Sequence, residues 1–224
     1  MISVLLPVYN GEKFVEESIK SVLNQTFKDI ELLIGFNGTV DDSKKIAESF
    51  KDSRIKIFDY QTEKGKPKTL NRLLKESKYD IIALQDDDDL WEHKKLELQL
   101  PLIKNYDVVG SQIIYIDEQG RSPTRIGSGP KLSTDSQSIN DSMLNLQNNI
   151  ANSSSLIKKQ PLIDVEGWDE SMPALEDIDL WIRMAKKGYK FTNSDKILVF
   201  HRIHDTSNFN AQTWDERELL KKHI

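Results

Sequence analysis

The sequence predicts an α/β domain built on a mostly parallel central sheet with helices on both faces, followed by a smaller, less regular half. Three observations predict it. Short apolar runs rich in β-branched residues recur at residues 2–8, 30–36, 54–59 and 79–85. Between them lie segments whose apolar residues repeat at helical spacing. Strand–helix–strand connections of this length are right-handed crossovers, which run the strands parallel and bury both sheet faces.

Residues 2–8 are nearly all apolar and closed by Pro7, as in a strand buried on both sides. Over residues 12–24, Val15, Ile19, Val22 and Leu23 form one helical stripe that can pack back on the sheet. Residues 30–36 are a second strand, 41–50 a helix and 54–59 a third strand. Residues 67–77 are a helix with Pro67 near its first turn, where a missing N–H costs little. Residues 79–85 complete the fourth strand. In such sheets ligands sit beyond the carboxyl ends of strands, so chemistry is expected after Val8, Phe36 and Gln85.

In the second half, residues 90–104 have helical composition interrupted by Pro101. Residues 106–116 read as a strand, with Asp117, Glu118, Gln119 and Gly120 turning into another. Residues 127–141, rich in Ser, Gly and Pro, read as a mobile loop and a candidate lid. Residues 152–157 suggest a strand, and residues 176–187 a helix ended by Gly188. Residues 213–224 suggest an amphipathic helix for packing or dimerisation. No composition shift marks a linker, so residues 1–224 are read as a single domain, divided at 104 and 212.

A chain of 224 residues can bury one sizeable core. Its 38% hydrophobic and 30% charged residues are ordinary for a globular protein. The net charge of −5, with signs interspersed, argues against a nucleic-acid surface, which needs concentrated Lys and Arg. Without Cys there is no disulfide framework, thiolate metal site or Cys nucleophile. No apolar stretch approaches the ~20 residues of a transmembrane segment, and the first strand begins without a basic leader. A cytoplasmic location is therefore expected, compatible with a peripheral seat at the inner face of a membrane.

The strongest chemical signal is Gln85, Asp86, Asp87, Asp88, Asp89, Leu90, Trp91, directly after an apolar strand. Adjacent carboxylates repel, and a hard divalent ion such as Mg²⁺ or Mn²⁺ relieves the repulsion while leaving positions for water and phosphate oxygens. The plainer reading makes Asp89 the cap of a following helix, with Glu92 completing a capping box. The second signal is Leu175, Glu176, Asp177, Ile178, Asp179, Leu180, Trp181, Ile182, Arg183. Acidic residues suit a helix's first turn on macrodipole grounds alone. Facing an acceptor, such a carboxylate can also take a hydroxyl proton.

Together with the opening Val4, Leu5, Leu6, Pro7, Val8, Tyr9, Asn10, Gly11, these segments resemble family 2 glycosyltransferases of the GT-A fold, whose central sheet is Rossmann-like. The likeness runs from the first strand to about His204. It implies an inverting, metal-dependent transfer of a sugar from a nucleoside-diphosphate sugar, a UDP-sugar first, to a hydroxyl of a glycan or lipid-linked acceptor. Surface glycan, lipopolysaccharide or capsule synthesis is the implied setting. Residues 1–104 become the donor-binding half, 105–212 the acceptor-binding and catalytic half, and 213–224 a terminal helix.

By the same resemblance Asp177 is the base and Glu176 orients it or the acceptor. Pro7 and Tyr9 line the nucleoside pocket unless they merely shape the turn, and Asp86 touches the ribose or the metal indirectly. Asp88 ligates Mn²⁺ or Mg²⁺, and His204, less so His201, completes the shell. Arg202 contacts the diphosphate, as does Lys68 or Lys66. Trp168 forms an acceptor wall or else belongs to the core. The chain departs from the family at Gly35, Phe36, Asn37, Gly38, Thr39, where aspartates are usual. Asn37 both accepts and donates, so thymidine and guanosine donors stay open beside uridine.

A sugar-phosphate nucleotidylyltransferase would need a Gly-rich basic loop where Pro7 to Gly11 stand, and a dehydrogenase would need G-x-G-x-x-G after the first strand. A catalytically idle subunit of a polysaccharide assembly complex remains the rival of another class. Oligomeric state is left open.

Overall fold

All seven residues of strand β1 (Ile2–Val8) are buried, as are all seven of its parallel partner β2 (Ile30–Phe36). Strands covered on both faces carry continuous apolar runs for this reason. The computed structural model describes residues 1–60, 65–122, 128–205 and 215–223. Between β1 and β2 lies α1 (Val15–Leu23), and after β2 come α2 (Ser43–Ser49), β3 (Ile55–Asp59), α3 (Lys66–Glu76) and β4 (Ile81–Leu84). The second half contains β5 (Leu90–Trp91), α4 (Lys95–Gln99), β6 (Val108–Ile116), α5 (Ser136–Leu144), β7 (Leu156–Lys158), α6 (Lys159–Asp164), α7 (Glu176–Lys186), β8 (Phe191–Arg202) and α8 (Glu216–Leu220).

The strands form one sheet in the order β3-β2-β1-β4-β7-β6-β8-β5. The first four are parallel, with Leu5 opposite both Leu33 of β2 and Leu84 of β4. Pro7 lies beyond the end of the β4 ladder, so its missing N–H breaks no bond on that side. Strand β7 runs antiparallel to β4 and β6 and splices the two halves. Strands β6 and β8 are parallel, and β5 pairs antiparallel with β8.

One sheet face is covered by α1, whose Val15, Ile19 and Val22 are fully buried among Val4, Leu6 and Leu32. Each such side chain contributes about 1.5–3 kcal/mol of burial free energy. On the other face Leu70 and Leu73 of α3, Ile139 and Met143 of α5, and Leu180 and Trp181 of α7 share a core with Leu5 and Leu84.

Several expectations for the second half are corrected. Residues 90–104 are not one helix: Leu90 and Trp91 pair with Phe200 and Val199 as an edge strand. The helix starts only at Lys95, and Pro101 precedes a 3₁₀ turn. Asp89 is therefore no helix cap, and Glu92 instead accepts from the Lys94 N–H at 2.6 Å. The last part of the expected loop at 127–141, from Ser136 on, is α5, because Asp135 caps it by accepting from Ser138 N–H at 2.8 Å and Ile139 and Met143 are buried. The expected strand at 152–157 is a 3₁₀ turn leading into β7. The turn at Asp117 to Gly120 is present, with Gly120 N–H donating to Asp117 O at 2.9 Å, but the strand expected to follow falls largely outside the described residues. Helix α7 ends as expected, with Gly188 at φ +81°.

Candidate active site

Strands β1, β2 and β4 end side by side, and their following loops are tied together. Asn10, at φ 52°, accepts from Val40 N–H at 3.0 Å through its side chain, and Glu12 N–H donates to Asp41 at 2.9 Å. Tyr9 is exposed, and its backbone N–H donates to Asp87 Oδ2 at 3.2 Å. Gly11 allows that approach, since a Cβ there would lie 2.5 Å from Asp87 Oδ2.

Buried Gln85 folds the aspartate run into a tight loop, donating to Ser18 Oγ at 2.9 Å and Asp89 O at 2.6 Å. The four carboxylates then part company. Asp86 accepts from Asn152 at 3.0 and 3.1 Å and Ser153 at 2.9 Å and pairs with Lys66 at 2.7 Å. Burial raises its carboxyl, but Lys66, Asn152 and Ser153 outweigh that and hold it below its ordinary value. Burial and the charges of Asp88 and Asp86 push Asp87 well above the ordinary range. Fully buried Asp89 accepts from Ser153 Oγ, from Arg202 N–H at 2.9 Å and meets His201 Nδ1 at 3.1 Å, which makes it an internal strut joining the 3₁₀ turn before β7, strand β8 and the loop.

Asp88 Oδ2 lies 3.0 Å from His204 Nε2. Burial, Asp89 and Asp86 raise the Asp88 carboxyl against the pull of His204. A carboxylate oxygen and an imidazole nitrogen, in surplus negative charge, form a donor set that fits Mn²⁺ better than Mg²⁺ and leaves positions for diphosphate oxygens and water. No cluster of three or more such ligands occurs among the described residues.

Across from the aspartates, α7 begins after Leu175, at φ 60°. Glu176 lies 3.1 Å from Lys66 Nζ, so one ammonium bridges it to Asp86. Burial lowers the Lys66 ammonium's affinity for its proton, but Asp86 and Glu176 more than offset this and hold its pKa well above the ordinary lysine value. Asp177 accepts from Asn148 at 3.2 Å. Burial, then the neighbouring Glu176, push its carboxyl up to about 7, against the pull of Lys66. A carboxylate so poised suits general-base work near neutral pH.

The structure thus brings together Asp86, Asp88, His204, Glu176 and Asp177, and Lys66 pairs with two of them, Asp86 and Glu176. Lys68 has no hydrogen bond or ion pair among the described residues. Asn37 is buried at the end of β2 with its Oδ1 unpartnered, and Pro7 is buried within β1. Two residues expected at the site, Arg202 and Trp168, lie buried. Arg202 is fully buried, and its guanidinium donates to Asp88 O at 2.8 Å, Glu118 O at 2.8 Å and Glu17 at 2.6 Å, stacked 4.6 Å from Phe14. It braces the aspartate loop against the turn at Glu118 and against α1. Trp168, 1% exposed, belongs to the core and cannot present its ring to an acceptor. Asn152, Ser153 and Asn148 went unread in the sequence because polar residues in an irregular segment carry no periodic signal.

The family model "Glycosyl transferase family 2" matches residues 3–162, and the chain belongs to that family. The O-antigen biosynthesis glycosyltransferase WbnJ of Escherichia coli is 31% identical over 99% of this chain and 90% of its own length. The Escherichia coli UDP-Glc:alpha-D-GlcNAc-diphosphoundecaprenol beta-1,3-glucosyltransferase WfaP is 28% identical over 91% of this chain and 78% of its own. Among solved structures, S. aureus TarS 1-349 in complex with UDP-GlcNAc superposes with a TM-score of 0.80 at 18% identity over 99% of this chain. The mannosyltransferase PcManGT from Pyrobaculum calidifontis, in complex with GDP-Man and Mn2+, gives 0.73 at 16% identity, also over 99%. This chain spans 65% and 62% of those two solved chains.

Proposed function

We propose that this glycosyltransferase inverts the anomeric centre in a single in-line displacement from a nucleoside-diphosphate sugar, a UDP-sugar first. The Asp177 carboxylate takes the proton of the acceptor hydroxyl, whose oxygen forms the new bond to the anomeric carbon. The bond to the diphosphate oxygen breaks on the opposite face, and nucleoside diphosphate leaves with that electron pair. Asp88 and His204 would hold a divalent metal, Mn²⁺ by preference, which when bound neutralises charge on the leaving diphosphate. Lys66 keeps the donor-side Asp86 and the acceptor-side Glu176 at fixed separation, so both substrates meet already positioned.

One observation carries the reading: Asp177, its carboxyl raised to about 7, stands beside Glu176, which Lys66 bridges to Asp86 of the aspartate loop. The named activities of WbnJ and WfaP support surface glycan assembly and a lipid-linked acceptor. A cytoplasmic enzyme working at the membrane face fits that setting, and no helix among the described residues is long and apolar enough to cross a membrane. Asn37, with a buried acceptor oxygen free, is assigned to the donor base.

The test is release of nucleoside diphosphate from a panel of nucleotide sugars with Mn²⁺, Mg²⁺ or chelator, for wild type, Asp88→Asn and Asp177→Asn. Chelator-sensitive release abolished by both substitutions, with an inverted product anomer by NMR, is expected. Donor binding without turnover on any mixed glycan acceptor would replace this reading with that of an idle assembly subunit.

A further inference from the structure

Successive helical residues turn by about 100°, so Asp177 and Asp179 leave α7 in nearly opposite directions. Asp177 faces the cleft, and Asp179 is fully buried behind it. A lone buried carboxylate is costly, and this one is met by three nitrogen-bearing side chains. Arg183, one turn along, donates from Nε at 2.8 Å and pairs through its terminal nitrogen at 2.7 Å. The other two come from the C-terminal segment: Lys222 Nζ at 2.7 Å and His223 Nε2 at 2.8 Å. Burial raises the Asp179 carboxyl, but Lys222, His223 and Arg183 hold it below its ordinary value.

The segment makes further attachments. Lys186 Nζ donates to His223 O at 2.8 Å, and Leu220, 2% exposed, joins the core that holds Leu180 and Trp181. Lys222 also pairs with Asp169, in the loop preceding α7. That loop is fastened to α3, since Asn71 donates to Trp168 O at 2.8 Å and accepts from Trp168 N–H at 2.9 Å. Helix α3 carries Lys66, and α7 carries Glu176 and Asp177. The terminal segment therefore grips, from behind, the helix and loop whose fronts form the acceptor side of the cleft.

We propose that Lys222 and His223 are positioning residues: the C-terminal segment clasps the back of α7 through Asp179 and Asp169 and thereby fixes Asp177 at the cleft. Neither residue faces the cleft, so neither touches substrate. The proposal rests on Asp177 being the base. Asp177 is faced by Glu176 on its own helix, Lys66 from α3, Asp86 after β4 and Asn148 before β7. Loosening α7 withdraws it from that setting into water.

The experiment compares wild type with Lys222→Met and Lys222→Arg, at a temperature where circular dichroism shows all three folded. A kcat about tenfold lower in Lys222→Met, with donor KM within about twofold and kcat largely restored in Lys222→Arg, is expected from misplacement of the base alone. Carboxyl ¹³C NMR of Asp177 should show its titration falling by a unit or more in Lys222→Met. Should Lys222→Met fail to fold, His223→Leu takes its place in both measurements. A melting temperature that falls while kcat and the Asp177 titration stay as in wild type would overturn the clasp and leave a purely structural contact. If the wild type transfers no sugar, the reading of Asp177 as base fails by itself, and the NMR titration still decides the clasp.

Discussion

The Lys66 ammonium lies 3.1 Å from the Glu176 carboxylate and so ties the start of α3 to the start of α7. The same nitrogen reaches Asp86 at 2.7 Å, so its removal unties the donor and acceptor sides together. Lys66→Met is expected to lower kcat/KM by about 30- to 100-fold. Because Lys66 pulls the Asp177 carboxyl down, the alkaline-rising midpoint of kcat should also move above its wild-type pH. Initial rates across pH 5 to about 9 measure both effects, and an unmoved midpoint would contradict the bridge.

As the proposed base, Asp177 must be ionised to act, so kcat should rise with pH to a midpoint of about 7. The stability consequence has the opposite sign. The folded protein keeps a proton on Asp177 that the unfolded chain, near 3.8, has already released, so this residue's contribution to stability declines as pH rises from about 4 to 7. Asp177→Asn is therefore expected to lose at least about 100-fold in transfer while gaining about 1–3 kcal/mol at pH 8. Denaturant melts of both proteins at two pH values check the second half.

Asp88 and His204 are expected to act as one ligand pair. Asp88→Asn and His204→Leu should each weaken Mn²⁺ binding in the presence of nucleoside diphosphate by about tenfold or more, read by titration calorimetry. The double variant should lose little beyond the worse single one, because either loss dismantles the same pair.

Arg202 should behave as a strut. Replacing it by Met leaves the carbonyls of Asp88 and Glu118 and the Glu17 carboxylate without their donor. A loss of about 2–4 kcal/mol in thermal or urea unfolding is expected. Donor KM at a temperature where the variant is folded should change less than in Asp88→Asn; a larger change would restore a direct diphosphate role.

The first half was legible because parallel strands buried on both faces must be continuous apolar runs: the expected bounds 2–8 and 30–36 are those of β1 and β2. Asp86 to Asp89 and Glu176 to Asp177 could be placed at a strand end and a helix start by the same logic. Strand β8 went unread because its first half is polar, Thr192 to Lys196, and a register shift against β6 breaks its alternation. Helix α5 looked like a loop since four of its nine residues are Ser or Asn, and only Ile139 and Met143 face the core. Arg202 was placed at the diphosphate by resemblance, and Trp168 either at an acceptor wall or in the core; both are buried, which their spacing did not encode.

Strand β7 hydrogen-bonds to β4 on one side and β6 on the other, so the proposed donor-side and acceptor-side floors are one continuous sheet. Such a floor has no hinge line, and the two substrates cannot be brought together by a jaw-like swing of one lobe onto another. Access to the reaction centre is then governed at the rim, by short chain segments above a rigid bed. Recognition of a different acceptor can accordingly be gained by exchanging rim segments, with the bed and its carboxylates inherited unchanged.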